Sequence, residues 1–173
     1  MNPEEQYTEA KKLYEEGRLQ DALRAFEQAH AGYLQQNDAA SAAQVANDLG
    51  VVYYLAGRRD DARRVLQQAL DAFEQLGNVL GQAKALGNLA RVQERSGDRD
   101  TAEKNYQRAA ELFHQIGEKG LEADTWRVLS QLQLRQGRWL EALATYDRAL
   151  AARGGSGALR AFLRLPARLL GGG

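Results

Sequence analysis

The sequence predicts an all-α chain of four helix-turn-helix repeats followed by a short amphipathic C-terminal segment. Two observations carry that prediction. The first is an internal register: "GRLQDALRAFEQAH" from residue 17, "GRRDDARRVLQQAL" from 57, "GDRDTAEKNYQRAA" from 97 and "GRWLEALATYDRAL" from 137 align at a fixed spacing of 40 residues. The second is composition. Only two prolines interrupt 173 residues dominated by Ala, Leu, Gln, Glu and Arg, the residues that lose least on entering a helix.

The aligned columns assign each element. Gly17, Gly57, Gly97 and Gly137 stand in one column, and Ala22, Ala62, Ala102 and Ala142 in a second. Phe26, Leu66, Tyr106 and Tyr146 form a third, and Ala29, Ala69, Ala109 and Ala149 a fourth. Upstream of each glycine lies a small residue: Ala10, Gly50, Ala90 or Ser130. Small residues let two helices approach closely, and the aromatic or leucine fills the gap beside them. In the second repeat Val45, Leu49, Val52 and Tyr53 mark the apolar face of a first helix. Gly57 breaks that helix, and Asp60 and Asp61 sit where the positive end of the next helix dipole favours acids. Ala62, Leu66, Ala69 and Phe73 form the buried stripe of the second helix, which Gly77 closes. Gly117 and Asn37 close the matching helices. Trp126 and Trp139 fall in packing columns and are expected to anchor the core.

Charge and chemistry exclude several classes. Lys+Arg and Asp+Glu are 23 each, so no overall basic bias points to nucleic acid. Arg58 and Arg63 belong to a solvated helix face with acids close by. With no cysteine, disulfides and thiolate metal sites are excluded, in keeping with a reducing, cytoplasmic setting. No signal peptide or membrane span is expected, since no apolar run approaches ~18 residues. His30 and His114 have no Ser or acid at a recognisable catalytic spacing, no metal-ligand constellation is present, and "GNVLGQAKALGN" lacks the preceding strand of a dinucleotide site. The expectation is a non-catalytic chain without cofactors.

The small-residue, Gly, Ala, aromatic and Ala columns resemble the tetratricopeptide repeat. Its usual unit is ~34 residues. The longer unit here resembles the variant of kinesin light chains and of Partner-of-Inscuteable-type adaptors, with "ALGNLARVQERSGDRDTAEKNYQRAAEL" the nearest fragment. The resemblance covers residues 3 to about 152, in repeats of about 3–37, 38–77, 78–117 and 118–153. Glu9 stands where Leu49, Leu89 and Leu129 sit, as suits a terminal repeat.

That resemblance implies a right-handed α-solenoid and a protein–protein interaction scaffold. In this family the first helix of each repeat lines a concave groove that takes peptides. Carried over, the pattern places Tyr7, Lys11 and Tyr14 in the groove from repeat one, and Asn47, Asp48, Val51 and Tyr54 from repeat two. Repeat three supplies Lys84, Asn88, Arg91 and Arg95, and repeat four Arg127, Gln131 and Arg135. Glu4, Glu15 and Asp48 make one end mixed in charge, whereas the other is basic. The expected ligand is a protein or peptide segment with acidic residues over Lys84, Arg91, Arg127 and Arg135, where arginines can fork onto carboxylates. The carboxylate clamp of chaperone-binding members is not matched: Tyr7, Lys11, Asp48, Lys84 and Asn88 stand at its places, and Asp48 would repel a carboxylate.

The end of the chain departs from the register. Residues 154–157 read as a Gly/Ser linker, 158–170 as an amphipathic segment and 171–173 as a glycine tail. On a helical wheel Leu159, Phe162, Leu163, Leu165, Leu169 and Leu170 gather on one side, opposite Arg160, Arg164 and Arg168; Pro166 predicts a kink or stop near Leu165. Three surfaces compete for the apolar side, beside a fourth reading. They are the open side of the last repeat, an anionic membrane, and a groove of this or a neighbouring copy, the last giving a homo-oligomer. The fourth reading is that "GGSG" and "GGG" are engineered linkers.

Overall fold

The computed structural model describes residues 1–155. Among them lie α1 (Pro3–Glu15), α2 (Leu19–Gln35), α3 (Ala39–Leu55), α4 (Arg59–Gln75), α5 (Val79–Arg95), α6 (Arg99–Gln115), α7 (Lys119–Arg135) and α8 (Trp139–Ala152), with no strand among the described residues. The expected all-α helix-pair class is the one observed. The amphipathic segment lies outside the described residues.

Each helix start follows from local sequence. Asn2 and Glu5 form a reciprocal capping box at α1, with bonds of 2.8 and 3.0 Å, and Pro3 occupies the first turn. The Asp38 carboxylate accepts from the Ser41 amide at 3.0 Å, and the Asn78 carbonyl oxygen from the Gly81 amide at 2.9 Å. The second helices of repeats one, two and four start differently. Arg18, Arg58 and Arg138 make no cap bond and instead pair with Asp21, Asp61 and Glu141 three residues on. In repeat three the Asp98 carboxylate takes the place of the arginine and accepts from the Thr101 amide at 3.3 Å.

The "GRRDDARRVL" stretch is therefore turn chemistry. Arg58 reaches Asp61 at 2.8 Å and Glu27 at 3.7 Å, and its guanidinium lies 4.4 Å from the Tyr53 ring centre. Arg63 and Arg64 pair with Asp60 and Asp61 at 3.1 Å each. Arg64 and Arg58 together hold the Asp61 carboxyl below its ordinary pKa. Gly57 takes φ +78, so that its amide bonds the Tyr54 carbonyl and the Arg58 amide reaches back to that of Tyr53. Asn37 does the same job at φ +56.

The chain divides into two compact units, Met1–Asn105 and the part from Tyr106 onward. In the first, Ala10, Ala22, Phe26, Leu49, Leu66, Ala69, Phe73 and Leu89 are buried, as the columns require. The small column works sterically: a Cβ on Gly50 would stand 2.4 Å from Leu66 Cγ. The Tyr53 hydroxyl donates to Glu27 at 2.6 Å, and burial followed by that carboxylate pushes its pKa up to about 12.

In the second unit Ala109, Phe113, Trp126, Leu129, Leu132 and Ala149 are buried. The Ser130 hydroxyl donates to the Ala142 carbonyl at 2.8 Å, and the Arg148 guanidinium lies 5.0 Å from the Trp126 ring centre. Two expectations fail here. Trp139, read as a core anchor, is 63% exposed, and Tyr146, in the column of Phe26, is 43% exposed. Both lie on α8, the last helix among the described residues, on a side that no described helix covers. The register also ends early. α8 stops at Ala152, and the positive-φ residue is Gly154, three positions before the place that follows from Gly77 and Gly117.

Candidate functional site

In the first unit the sequence-predicted residues of α1, α3 and α5 are joined by a chain of hydrogen bonds. The Tyr7 hydroxyl donates to Asp48 Oδ2 at 2.6 Å, and the Asn47 and Gln44 amides reach Asp48 Oδ1 at 3.1 and 3.4 Å. The Asn88 amide donates to Asn47 Oδ1 at 3.0 Å. Tyr7, Asp48, Asn47 and Asn88 thus link three successive first helices edge to edge. Burial, reinforced by Asp48, drives the Tyr7 pKa well above its ordinary value, so the hydroxyl remains a donor. Lys11 Nζ sits 4.3 Å from the Tyr7 ring centre.

This geometry separates the expected ligand contacts into two kinds. Asn47 was expected to face a ligand, but it is 5% exposed and its oxygen is occupied by Asn88. It is a strut that orients Asp48 and Asn88. Lys11, Tyr14, Lys84 and Arg91 are exposed, and Tyr7, Asp48, Val51, Tyr54 and Asn88 are half-buried. Lys11, Tyr14, Glu15, Phe26, Asp48, Val51 and Val52 line a cavity of about 300 Å³ between α1, α2 and α3. On α5, Lys84 and Arg91 have no carboxylate partner among the described residues. Gly87 lies between them, and a Cβ there would meet nothing within 4 Å. The result is a stretch of bare helix flanked by two cations seven residues apart.

In the second unit Arg127, Gln131 and Arg135 are exposed on α7. Arg127 pairs with Asp124 at 3.4 Å, and Arg153 meets the same carboxylate at 2.8 Å. Arg127 and Gln131 also line a cavity of about 570 Å³ with Leu134, Trp139, Leu143 and Tyr146.

Sequence reasoning missed one pairing. His114 Nδ1 lies 3.1 Å from both carboxylate oxygens of Glu122, which is buried, beside a cavity of about 490 Å³ with Lys119, Trp126 and Arg148. The pair spans the turn between α6 and α7, so its separation in sequence matches no catalytic spacing. Its cavity lining contains no Ser, Thr or Cys nucleophile. Among the described residues no group of three His, Asp or Glu side chains is placed to hold a metal ion.

His30 is half-buried on α2, and burial followed by the Arg64 charge lowers its pKa below the ordinary 6.5. The unfolded chain therefore takes up this proton at higher pH than the folded one, and stability falls as pH drops below about 6.5. Thermal unfolding between pH 7.5 and 5 checks this: His30→Gln is expected to flatten the acid-side decline.

Helix pairs that pack in sequence order and present polar first-helix faces define a helical-repeat protein of the interaction-scaffold class. The chain belongs to the tetratricopeptide repeat family: the Tetratricopeptide repeat profile matches residues 10–75 and 81–154. No curated protein gives a significant sequence match. Among solved structures it is similar to BtubC (BKLC) from P. vanneervenii, at 20% identity and a TM-score of 0.79 over 86% of this chain. It is also similar to a Rap protein solved in complex with Competence and Sporulation Factor, at 19% identity and a TM-score of 0.80 over 88% of this chain. Kinesin light chain-like, nearly identical TPR-like repeats from Podosopora anserina match at 16% and 0.74 over 87% of this chain and 74% of theirs. At these identities the likeness is one of fold. The chain spans 62% of the BtubC chain and 43% of the Rap chain. No helix among the described residues is long and apolar enough to cross a membrane.

Proposed function

We propose that this protein is a non-catalytic scaffold that docks an extended peptide segment of a partner protein, in a cytoplasmic assembly, across the first-helix faces of its repeats. The observation that carries this reading is on α5. Lys84 and Arg91 lack carboxylate partners among the described residues and flank the bare backbone at Gly87, whereas Arg18, Arg58, Arg63, Arg64 and Arg138 are all paired. Acidic side chains of the ligand satisfy these two cations, and glycine lets the ligand main chain approach closely. The cavity between Tyr14, Phe26 and Val51 takes one large ligand side chain, and the Tyr7–Asp48–Asn47–Asn88 chain holds the face rigid beneath it. Arg127, which pairs with Asp124, and Gln131 and Arg135 stand exposed on α7, where the second unit offers polar side chains to a ligand. The likeness to a Rap protein complexed with Competence and Sporulation Factor supports a fold that binds partners.

The test is selection of a random 12-residue peptide library on the immobilised full chain. Enriched peptides are expected to carry two or more acids. Lys84→Glu with Arg91→Glu is expected to weaken them by more than about tenfold, equivalent to ~1.4 kcal/mol. Enrichment of neutral or basic peptides, or an unchanged affinity in a double variant that keeps its helical circular dichroism, overturns the proposal.

A further inference from the structure

The cavity of about 490 Å³ in the second unit is walled by three helices. α6 contributes His114. α7 contributes Lys119, Glu122 and Trp126 at i, i+3 and i+7, and α8 contributes Arg148, Ala151 and Ala152 at i, i+3 and i+4, so each helix turns one face to the space. Two contacts fix the walls. His114 Nδ1 lies 3.1 Å from both Glu122 oxygens and ties α6 to α7. The Arg148 guanidinium, 5.0 Å from the Trp126 ring centre, ties α8 to α7. The volume falls within the roughly 300–1,000 Å³ usual for small-molecule sites.

The charges around the cavity divide into satisfied and unsatisfied. Glu111, also in the lining, is paired with Arg108 at 3.7 Å. The Glu122 side chain is only 9% exposed, yet His114 is its one hydrogen-bonding partner among the described residues. A carboxylate offers about four lone-pair sites, and a buried one gains most from filling them. Lys119 and Arg148 are exposed and have no carboxylate partner among the described residues. A guanidinium stacked on a ring keeps its N–H edges free for a bidentate acceptor. One cavity therefore holds a buried acceptor with unused capacity and two unpaired cations.

We propose that this cavity binds a free α-amino acid with an apolar side chain. Its ammonium donates to Glu122 beside His114. Its carboxylate takes the fork of Arg148 and the charge of Lys119. Its side chain lies among Trp126, Ala151 and Ala152, whose small α8 residues leave it room. The zwitterion is selected by the pairing of needs. A plain carboxylic acid leaves Glu122 short of donors, and a plain amine leaves the two cations without an anion. A molecule carrying both groups on one carbon meets both and brings no net charge into the cavity. The site lies wholly within the second unit, and the proposal does not depend on the peptide-binding reading of α1, α3 and α5.

Calorimetric titration of the full chain with the standard amino acids at neutral pH tests it. At least one of leucine, isoleucine, methionine and phenylalanine is expected to bind in the millimolar range or tighter. Its N-acetyl and carboxamide derivatives are each expected to bind at least about tenfold more weakly, through the loss of a charge-assisted contact. Glu122→Gln, and separately Lys119→Gln with Arg148→Gln, are expected to weaken the amino acid by a similar factor with helical circular dichroism unchanged. Failure of every apolar amino acid to bind overturns the proposal. So does equal binding of the N-acetyl derivative, which assigns a plain carboxylate, or of the carboxamide, which assigns a plain amine. Should Glu122→Gln unfold the chain, the exposed pair decides: unchanged affinity in Lys119→Gln with Arg148→Gln overturns the proposal.

Discussion

Phe73→Ala is expected to lower the unfolding free energy by about 3–5 kcal/mol, the range for removing a buried aromatic ring. Phe73 is 2% exposed and ends the buried stripe of α4. Its carbonyl accepts from the Asn78 amide at 2.9 Å and from the Gln82 side chain at 3.3 Å. The ring thus sits where the turn after α4 is tied to α5, and its loss leaves a cavity that the tied backbone cannot collapse to fill. Urea unfolding checks this: the midpoint shifts while the slope stays constant. A shift corresponding to less than about 1 kcal/mol would mean that α5 closes over the space.

Gly81→Ala is expected to destabilise by about 1–3 kcal/mol, the usual cost of overpacking. A Cβ at Gly81 would stand 2.4–2.6 Å from three carbons of the Phe73 ring. The sign is informative, because alanine in a helix interior otherwise stabilises by roughly 0.5–1 kcal/mol relative to glycine. The two substitutions must therefore couple. With Phe73 already alanine, Gly81→Ala is expected to become neutral or stabilising, since the clash is gone and the helix preference remains. A Gly81→Ala effect of equal size in both backgrounds would show that the ring does not set the requirement for glycine.

The repeat architecture was legible because its causes are local and recur. Each turn needs one residue that tolerates positive φ, and Gly17, Gly57, Gly97 and Gly137 announce it every 40 residues. Each hairpin needs a small residue facing a large one, and the Gly50 column records it. The arginine-rich turns were legible as surface for the same reason, since Asp60 and Asp61 lie within one helical turn of their partners. The face of the candidate site was only partly legible. Family pattern placed Tyr7, Asn47, Asp48 and Asn88 on one side of their helices. That Asn47 is buried and serves Asp48 and Asn88 depends on how closely α1, α3 and α5 approach, which no helical wheel contains.

The sequence by itself determined the helices, their period and, up to the last helix, the identity of the buried columns, because these depend on neighbours within a few residues along the chain. Tertiary structure alone decided the pairings across elements: Tyr7 with Asp48, Asn88 with Asn47, His114 with Glu122. It also separated Trp126 from Trp139. Both tryptophans stand in packing columns, yet one is enclosed between described helices and the other faces outward from the last of them. Burial is a property of what lies opposite a side chain, and a repeating sequence carries the same residue type into the final repeat, where the opposing helix is no longer dictated by the register.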